Sequence, residues 1–441
     1  MRRCSLARRF FFETLPMHQS NTFAVIHHRG LHLRILATLL VPLITTRPMA
    51  WAKETLVANS AEFANATKNI QAGDTIILKN GLWKEKRLRI QANGTSDQPI
   101  TLKAETPGKV ILRGKSSISV AGSHLILDGL WFQNPSTSDA IELRVDDTPA
   151  TDCRITNCAV NDTRPLSSSK SAARFISLYG SRNRVDHCYF AGKITEGPTM
   201  VVWLTPNAES RHRIDHNHFG PREPLNKNGG ETIRVGDSAS SMLNAACTIE
   251  HNLFEKCNGE TECISNKSCD NIYRNNTFKA VSGTLTLRHG NGCRVEKNTF
   301  LGEGAHATGG IRIIGENHII TGNYLENLTG EGYRSGICLM LGIPDSAPNG
   351  YLQVKHAKVT ANTLVNCEHN ILIGMNNGPE TTLPPIGSEV SNNLIISPKG
   401  KTIESRCPVD QMVIKNNETR QKSPNHVRPA PPEPAGPTWE R

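Results

Sequence analysis

From Ile155 onward the chain repeats one short phrase: an aliphatic residue, polar residues rich in asparagine and histidine, then an aromatic or aliphatic residue. It reads I-T-N-C-A-V from Ile155, V-D-H-C-Y-F from Val185, I-D-H-N-H-F from Ile214 and I-E-H-N-L-F from Ile249. It continues as Y-R-N-N-T-F from Tyr273, V-E-K-N-T-F from Val295, T-G-N-Y-L from Thr321, T-A-N-T-L from Thr360 and S-N-N-L-I from Ser391. Asn217, Asn252, Asn276, Asn298, Asn323, Asn362 and Asn393 hold equivalent places, 35, 24, 22, 25, 39 and 31 residues apart. A period in the low twenties with insertions marks a solenoid, whose coils pack only on their neighbours. The units are short and β-branched, with glycine and asparagine punctuation and little helical periodicity, so each coil is strands joined by turns. The expected fold class is all-β, a single-stranded parallel β-helix. An asparagine at the same turn of every coil can take the left-handed conformation and stack its amide on the one below, which explains the repeat without chemistry. The segment from Ser60 to Ile70 has the composition of a short helix. It precedes the strand T-I-I-L at Thr75 and is expected to cap an end whose open edge would otherwise invite aggregation.

The ends differ from this pattern. Residues 1–52 read as a leader: an arginine-studded front, an apolar run from Ile35 to Thr45, and Ala50-Trp51-Ala52 as a small-x-small cleavage site. The run is short for a membrane span, so the expected product is a secreted or periplasmic protein starting near Lys53, with no stable membrane anchor. The β-helix domain is expected over 53–422. The tail over 423–441, with R-P-A-P-P-E-P-A-G-P, reads as proline-rich and disordered. Removing a leader with seven arginines and one glutamate takes the formal charge from +10 to about +4. That is a mild bias toward anionic partners and gives no sign of nucleic-acid binding; oligomeric state stays open. Eleven of the twelve cysteines lie beyond the leader, scattered and without C-x-x-C spacing, and several sit in apolar stretches that suit buried free thiols.

One stretch carries candidate chemistry. Glu260 and Glu262 are two apart and point to one face of a strand; Lys267 follows five residues later, and Arg288 with His289 about one coil beyond. One coil earlier, N-G-G-E-T-I-R-V-G from Asn228 offers an amide oxygen. An all-oxygen set without cysteine or histidine suits Ca²⁺ better than zinc. Paired with a lysine and an arginine, it would suit β-elimination of an acidic sugar polymer: a neutral base takes the proton beside a uronate carboxylate whose charge has been neutralised.

E-x-E, a lysine five residues on, R-H-G after 21 more, and the preceding N-G-x-E-x-I-R-x-G together resemble polysaccharide lyase family 6. The likeness runs from about Ser60, through A-G-D-T-I-I-L-K-N-G-L-W, to about Asn417. That family holds alginate lyases and chondroitinase B, right-handed parallel β-helix enzymes that use Ca²⁺. The resemblance implies Lys267 as Brønsted base and Arg288 as charge stabiliser or acid. It implies Asn228, Glu260 and Glu262 as calcium ligands, and His289 and Arg312 as groove-lining substrate contacts. Glu231 and Arg234 are expected near the metal, as substrate contacts or as a structural ion pair. His216, His251 and His318 read as polar turn residues on the surface. Alginate is the expected substrate. A chondroitin or dermatan sulfate lyase, a C5-epimerase using Tyr333 as second acid, and a non-catalytic carbohydrate-binding β-helix are the alternatives.

Overall fold

A computed structural model describes residues 52–166, 172–421 and 428–440. The chain divides into two units, Met1–Ala50 and Trp51–Arg441. The expected leader falls almost wholly outside the described residues.

The second unit is a parallel β-helix. Its strands form three sheets of 14, 14 and 13 members. Among the described residues the strand pairs are parallel apart from one hairpin joining Arg144–Val145 to Thr148–Thr151. The repeated phrase sets the register: Ile214, Ile249, Tyr273 and Val295 stack in one inward column of the first sheet. In the third sheet Phe190, Phe219, Phe254, Phe278 and Phe300 stack with ring centroids 4.5–5.3 Å apart. These columns are the core. All eleven cysteines in the described residues are free thiols and nine are buried, as the apolar context of several implies.

The asparagines form a continuous amide ladder. Nδ2 of Asn217 donates to Oδ1 of Asn252 at 3.0 Å, and the pattern repeats through Asn276, Asn298, Asn323, Asn362 and Asn393 to Asn417. Each amide oxygen also accepts the backbone N–H of the asparagine one coil earlier, and each Nδ2 also reaches a backbone carbonyl, as Asn276 does to Ile249. An aspartate would fill the acceptor half only. The left-handed residue is not the ladder asparagine itself, as expected from sequence, but the one before it: His216, His251, Asn275, Lys297, Ala361 and Asn392 have φ of 53–56°. That backbone turn aims the following amide into the core, where its hydrogen bonds offset a cost of about 1 kcal/mol per left-handed residue.

The N-terminal helix is Ser60–Lys68, two residues shorter than expected. Asn59 accepts from the Ala61 and Glu62 N–H groups, while Glu62 accepts from the N–H of Ala58 at 2.7 Å, a reciprocal cap. Phe63 is the residue the helix buries. At the far end the last strands, Val413–Lys415 and Glu418–Arg420, are exposed and carry Lys415, Glu418 and Arg420, charges that discourage edge pairing.

Of the disordered tail expected over 423–441, residues 423–427 and 441 lie outside the described residues, and the reading of the rest needs correction. Residues 428–440 run back along the outside of the helix, on the corner between the first and third sheets. Arg428 Nε donates to Glu326 at 2.7 Å, Gly436 N–H to the carbonyl of His216 at 2.9 Å, and Trp439 Nε1 to the carbonyl of Asn157 at 2.9 Å. Trp439 packs on Trp131 with centroids 5.6 Å apart. A Cβ at Gly108 would come within 2.6 Å of its ring, so only glycine leaves that seat. Prolines leave little chain entropy to lose, so a few anchors suffice.

His318 also differs from the surface placement read from sequence. It is fully buried, accepts the Cys293 N–H at Nδ1 and meets the Ile314 carbonyl at Nε2; burial lowers its pKa to about 4. His216 and His251 are partly exposed and stack at 5.1 Å.

Candidate active site

Four neighbouring strands of the second sheet build the site: Ile233–Val235, Glu262–Lys267, Thr284–His289 and Ile311–Ile313. Arg234, Ser265, Thr286 and Arg312 stand in one column across them. The register shifts between Asn266 and Lys267, a bulge that sets Lys267 opposite His289.

Above these strands lies a groove of about 1090 Å³. Asn228, Glu260, Glu262, Lys267, Arg288, His289 and Arg312 all line it. The other two predicted residues do not. Glu231 is buried behind the wall, and Arg234 turns toward the Gly236 carbonyl at 3.1 Å and over the Trp203 ring at 5.3 Å, so the ion pair considered between them is not formed.

Lys267, Arg288 and Arg312 sit on three consecutive short coils, where ladder asparagines are 24, 22 and 25 residues apart. The longer coils on either side supply the walls: Pro224 to Asn228 on one, Tyr333, Arg334 and Tyr351 on the other. Buried Arg222 clamps the first wall, donating to the carbonyls of Thr195, Gly197, Gly230 and Glu231 at 2.8–3.0 Å. Leu225 N–H adds a bond to the Gly259 carbonyl, beside Glu260.

Two of the carboxylates, Glu260 and Glu231, are under-partnered. Glu260 Oε2 accepts only a 3.3 Å bond from the Gly229 N–H, and its Oε1 is buried with no partner; so is Oε2 of Glu231. Burial, then the charges of Glu231 and Glu262, push the Glu260 pKa up to about 8. Buried oxygens without donors cost free energy until a cation joins them, and carboxylate and amide oxygens are what Ca²⁺ takes. The donor set therefore fits such an ion. A different group, His216, His251 and Glu433 on the tail side, has ligand atoms within 4.8 Å of one another.

Glu262 accepts from Ser265 Oγ at 2.5 Å and lies 3.6 Å from Arg312 Nη1 and 4.0 Å from Arg288 Nε. Both arginines are held from across the groove. Arg288 Nη1 donates to the Gly350 carbonyl at 2.7 Å and its guanidinium lies 4.3 Å from the Tyr351 ring; Arg312 Nη2 donates to the Tyr351 hydroxyl at 2.8 Å. Burial draws the Arg288 pKa below the usual guanidinium range. His289, buried and bonded through Nδ1 to Ser241 Oγ at 3.1 Å, is pushed down to about 3 by burial, Arg288 and Lys267, so its imidazole is neutral. Sequence reasoning missed Tyr351 and Arg334. Their signal was the 39-residue gap from Asn323 to Asn362, too long for one plain coil.

A family model described as Chondroitinase B matches residues 57–429. Among solved structures, the chain resembles the alginate lyase AlyGC of polysaccharide lyase family 6, with 42% identity and a TM-score of 0.80 over 83% of this chain; it spans 51% of AlyGC, about half its length. It also resembles a mannuronic acid specific family 6 lyase from human gut microbiota, with 30% identity and a TM-score of 0.75 over 83% of this chain and 86% of that one. A family 6 lyase of Pseudopedobacter saltans matches with 26% identity and a TM-score of 0.77, over 87% of this chain and 99% of that one. No curated protein matches. Fold and matches together define a β-helical polysaccharide lyase class. Within it, the chain belongs to polysaccharide lyase family 6.

Proposed function

We propose that the protein is a calcium-dependent lyase that cleaves alginate by β-elimination, and that it acts outside the cytoplasm on an acidic polysaccharide. The observation that carries this reading is the meeting of Lys267, Arg288, Glu262 and the under-partnered Glu260 in one groove. Asn228, Glu260 and Glu262, with Glu231 behind them, would hold Ca²⁺, which when bound neutralises the uronate carboxylate and so acidifies the C5 proton.

Lys267 takes that proton at Nζ. The electron pair of the C5–H bond forms the C4–C5 double bond, the C4–O bond breaks, and the departing oxygen takes a proton from water while the Lys267 ammonium returns one to solvent. Arg288, fixed by Gly350 and Tyr351, supports the negative charge that develops. Neutral His289 contributes hydrogen bonding without adding charge, and Arg312 holds a uronate carboxylate. Alginate is favoured because AlyGC at 42% identity and the gut lyase at 30% are described as acting on alginate and on mannuronic acid. Export follows from the leader-like first 52 residues; among the described residues no helix is long and apolar enough to cross a membrane.

Incubation with poly-mannuronate, poly-guluronate, alginate and dermatan sulfate tests this. Ultraviolet absorbance from the new double bond should rise with an alginate polymer, need Ca²⁺, and fall by at least about 100-fold in Lys267→Ala and Arg288→Ala, a barrier increase of about 2.7 kcal/mol. Tyr333 lines the groove with Arg312 5.0 Å from its ring, the one feature that favours the epimerase. Proton NMR showing an altered mannuronate to guluronate ratio without chain shortening would replace the lyase by that reading.

A further inference from the structure

A second recess lies on the same sheet, toward the N-terminal end. It has a volume of about 600 Å³ and is lined by Arg87, Lys115, Ser117, Ser119 and Ser138 among others. Through Arg87, Ser117 and Ser119 it joins a shallower recess of about 300 Å³ that adds Arg89 and Arg144. The strand Ser117–Ser123 is five strand steps from Glu262–Lys267 in this sheet, about 24 Å at about 4.8 Å per step.

The carboxylates of this region are already committed. Asp139 pairs with Arg174 at 2.8 Å, Glu142 with Arg144 at 2.9 Å and Asp146 with Arg89 at 2.5 Å. Arg87 and Lys115 are exposed and form no ion pair among the described residues. The recess therefore offers hydroxyls and two uncompensated positive charges.

Two aromatic rings lie at the ends of the strands between the recess and the catalytic groove. Tyr179 and Trp203 stack with centroids 5.9 Å apart at 14°. Arg144 lies 3.9 Å from the Tyr179 ring, and Arg174 and Arg234 lie 5.6 and 5.3 Å from the Trp203 ring. Arg234 stands beside Ser265 of the strand that ends in Lys267. Cation, aromatic and hydroxyl side chains thus follow one sheet face from the recess to the groove.

We infer that this face is a distal docking site for the acidic polysaccharide itself, with the Tyr179–Trp203 ledge and the Arg87–Lys115 recess holding sugars far from the bond being cut. Uronate carboxylates meet the two free cations, and the apolar faces of the sugar rings meet the ledge. Two attachment points on one polymer raise the local concentration of each for the other, so long chains are retained between cuts. The inference rests on the uronan-lyase reading, and its test separates the two.

The test compares wild type with the Arg87→Ala/Lys115→Ala double variant on polymeric alginate and on an alginate tetrasaccharide, which is too short to span both regions. For polymer, KM should rise about five-fold with kcat nearly constant, whereas KM for the tetrasaccharide should not follow; high salt should erase the difference. Equal changes on both substrates, or none on polymer, overturn the docking site. If wild type cleaves no uronan, native-gel retardation by alginate decides. Retardation lost in the double variant keeps the docking site while the lyase reading falls, and retardation equal in both, or absent from wild type, removes the docking site.

Discussion

Glu260 shows how one side chain ties the fold to the proposed ion. Its pKa of about 8 lies above the ordinary carboxylate value, so without metal the folded protein holds a proton that the unfolded chain releases near pH 4.5. The sign follows: the native state binds more protons, and the stability that Glu260's proton contributes is fully present below about pH 4.5 and lost as pH rises through about 8. In chelator the melting temperature should therefore fall between pH 5 and pH 8. Added Ca²⁺ should flatten that slope and release protons on binding near neutrality. Glu260→Gln should remove the slope, measured by calorimetry across that range; a slope unchanged in the variant would place its origin elsewhere.

At the scale of the element, the asparagine ladder is the most legible part of the sequence, because identical turns leave the same residue at the same step of each coil. Asn276 is fully buried and its side chain and backbone bond to Asn252, Asn298 and the Ile249 carbonyl. Asn276→Ala strands a backbone N–H and an oxygen in two directions and should cost about 2–4 kcal/mol, read by denaturant unfolding. Asn276→Asp should also destabilise, since its carboxylate must be buried without donors to spare. The gathering of Glu262, Lys267 and Arg288 in one groove was legible for the same reason: they lie on short coils where spacing translates directly into position. Tyr351 was not, because a long connection has no register to count along. Nor was the inward placement of His318, whose turn resembles those of the exposed histidines.

For the whole molecule, the tail reading failed where composition was the only guide. Proline and glycine content predicts that a segment cannot build its own core, but not that a core built elsewhere has a seat for it; Trp439 finds Trp131 and Gly108, more than 300 residues earlier. Removing residues 428–441 should lower stability by about 1–3 kcal/mol and change the near-ultraviolet circular dichroism of the Trp131–Trp439 pair. Turnover should persist, since the tail lies on the corner away from the groove sheet. A variant as stable as the full chain would mean the tail is a passenger.

The alternation of short and long coils has an evolutionary consequence. Because the amide ladder keeps its step whether 22 or 39 residues separate two rungs, insertions can accumulate in the connections without disturbing the coils beneath. The proposed reacting groups are thereby insulated from drift in the walls. Descendants of one ancestor can remodel the mouth of the groove, and with it the polymer they accept, by exchanging connections as modules while Lys267, Arg288 and the acidic pair stay where the short coils put them.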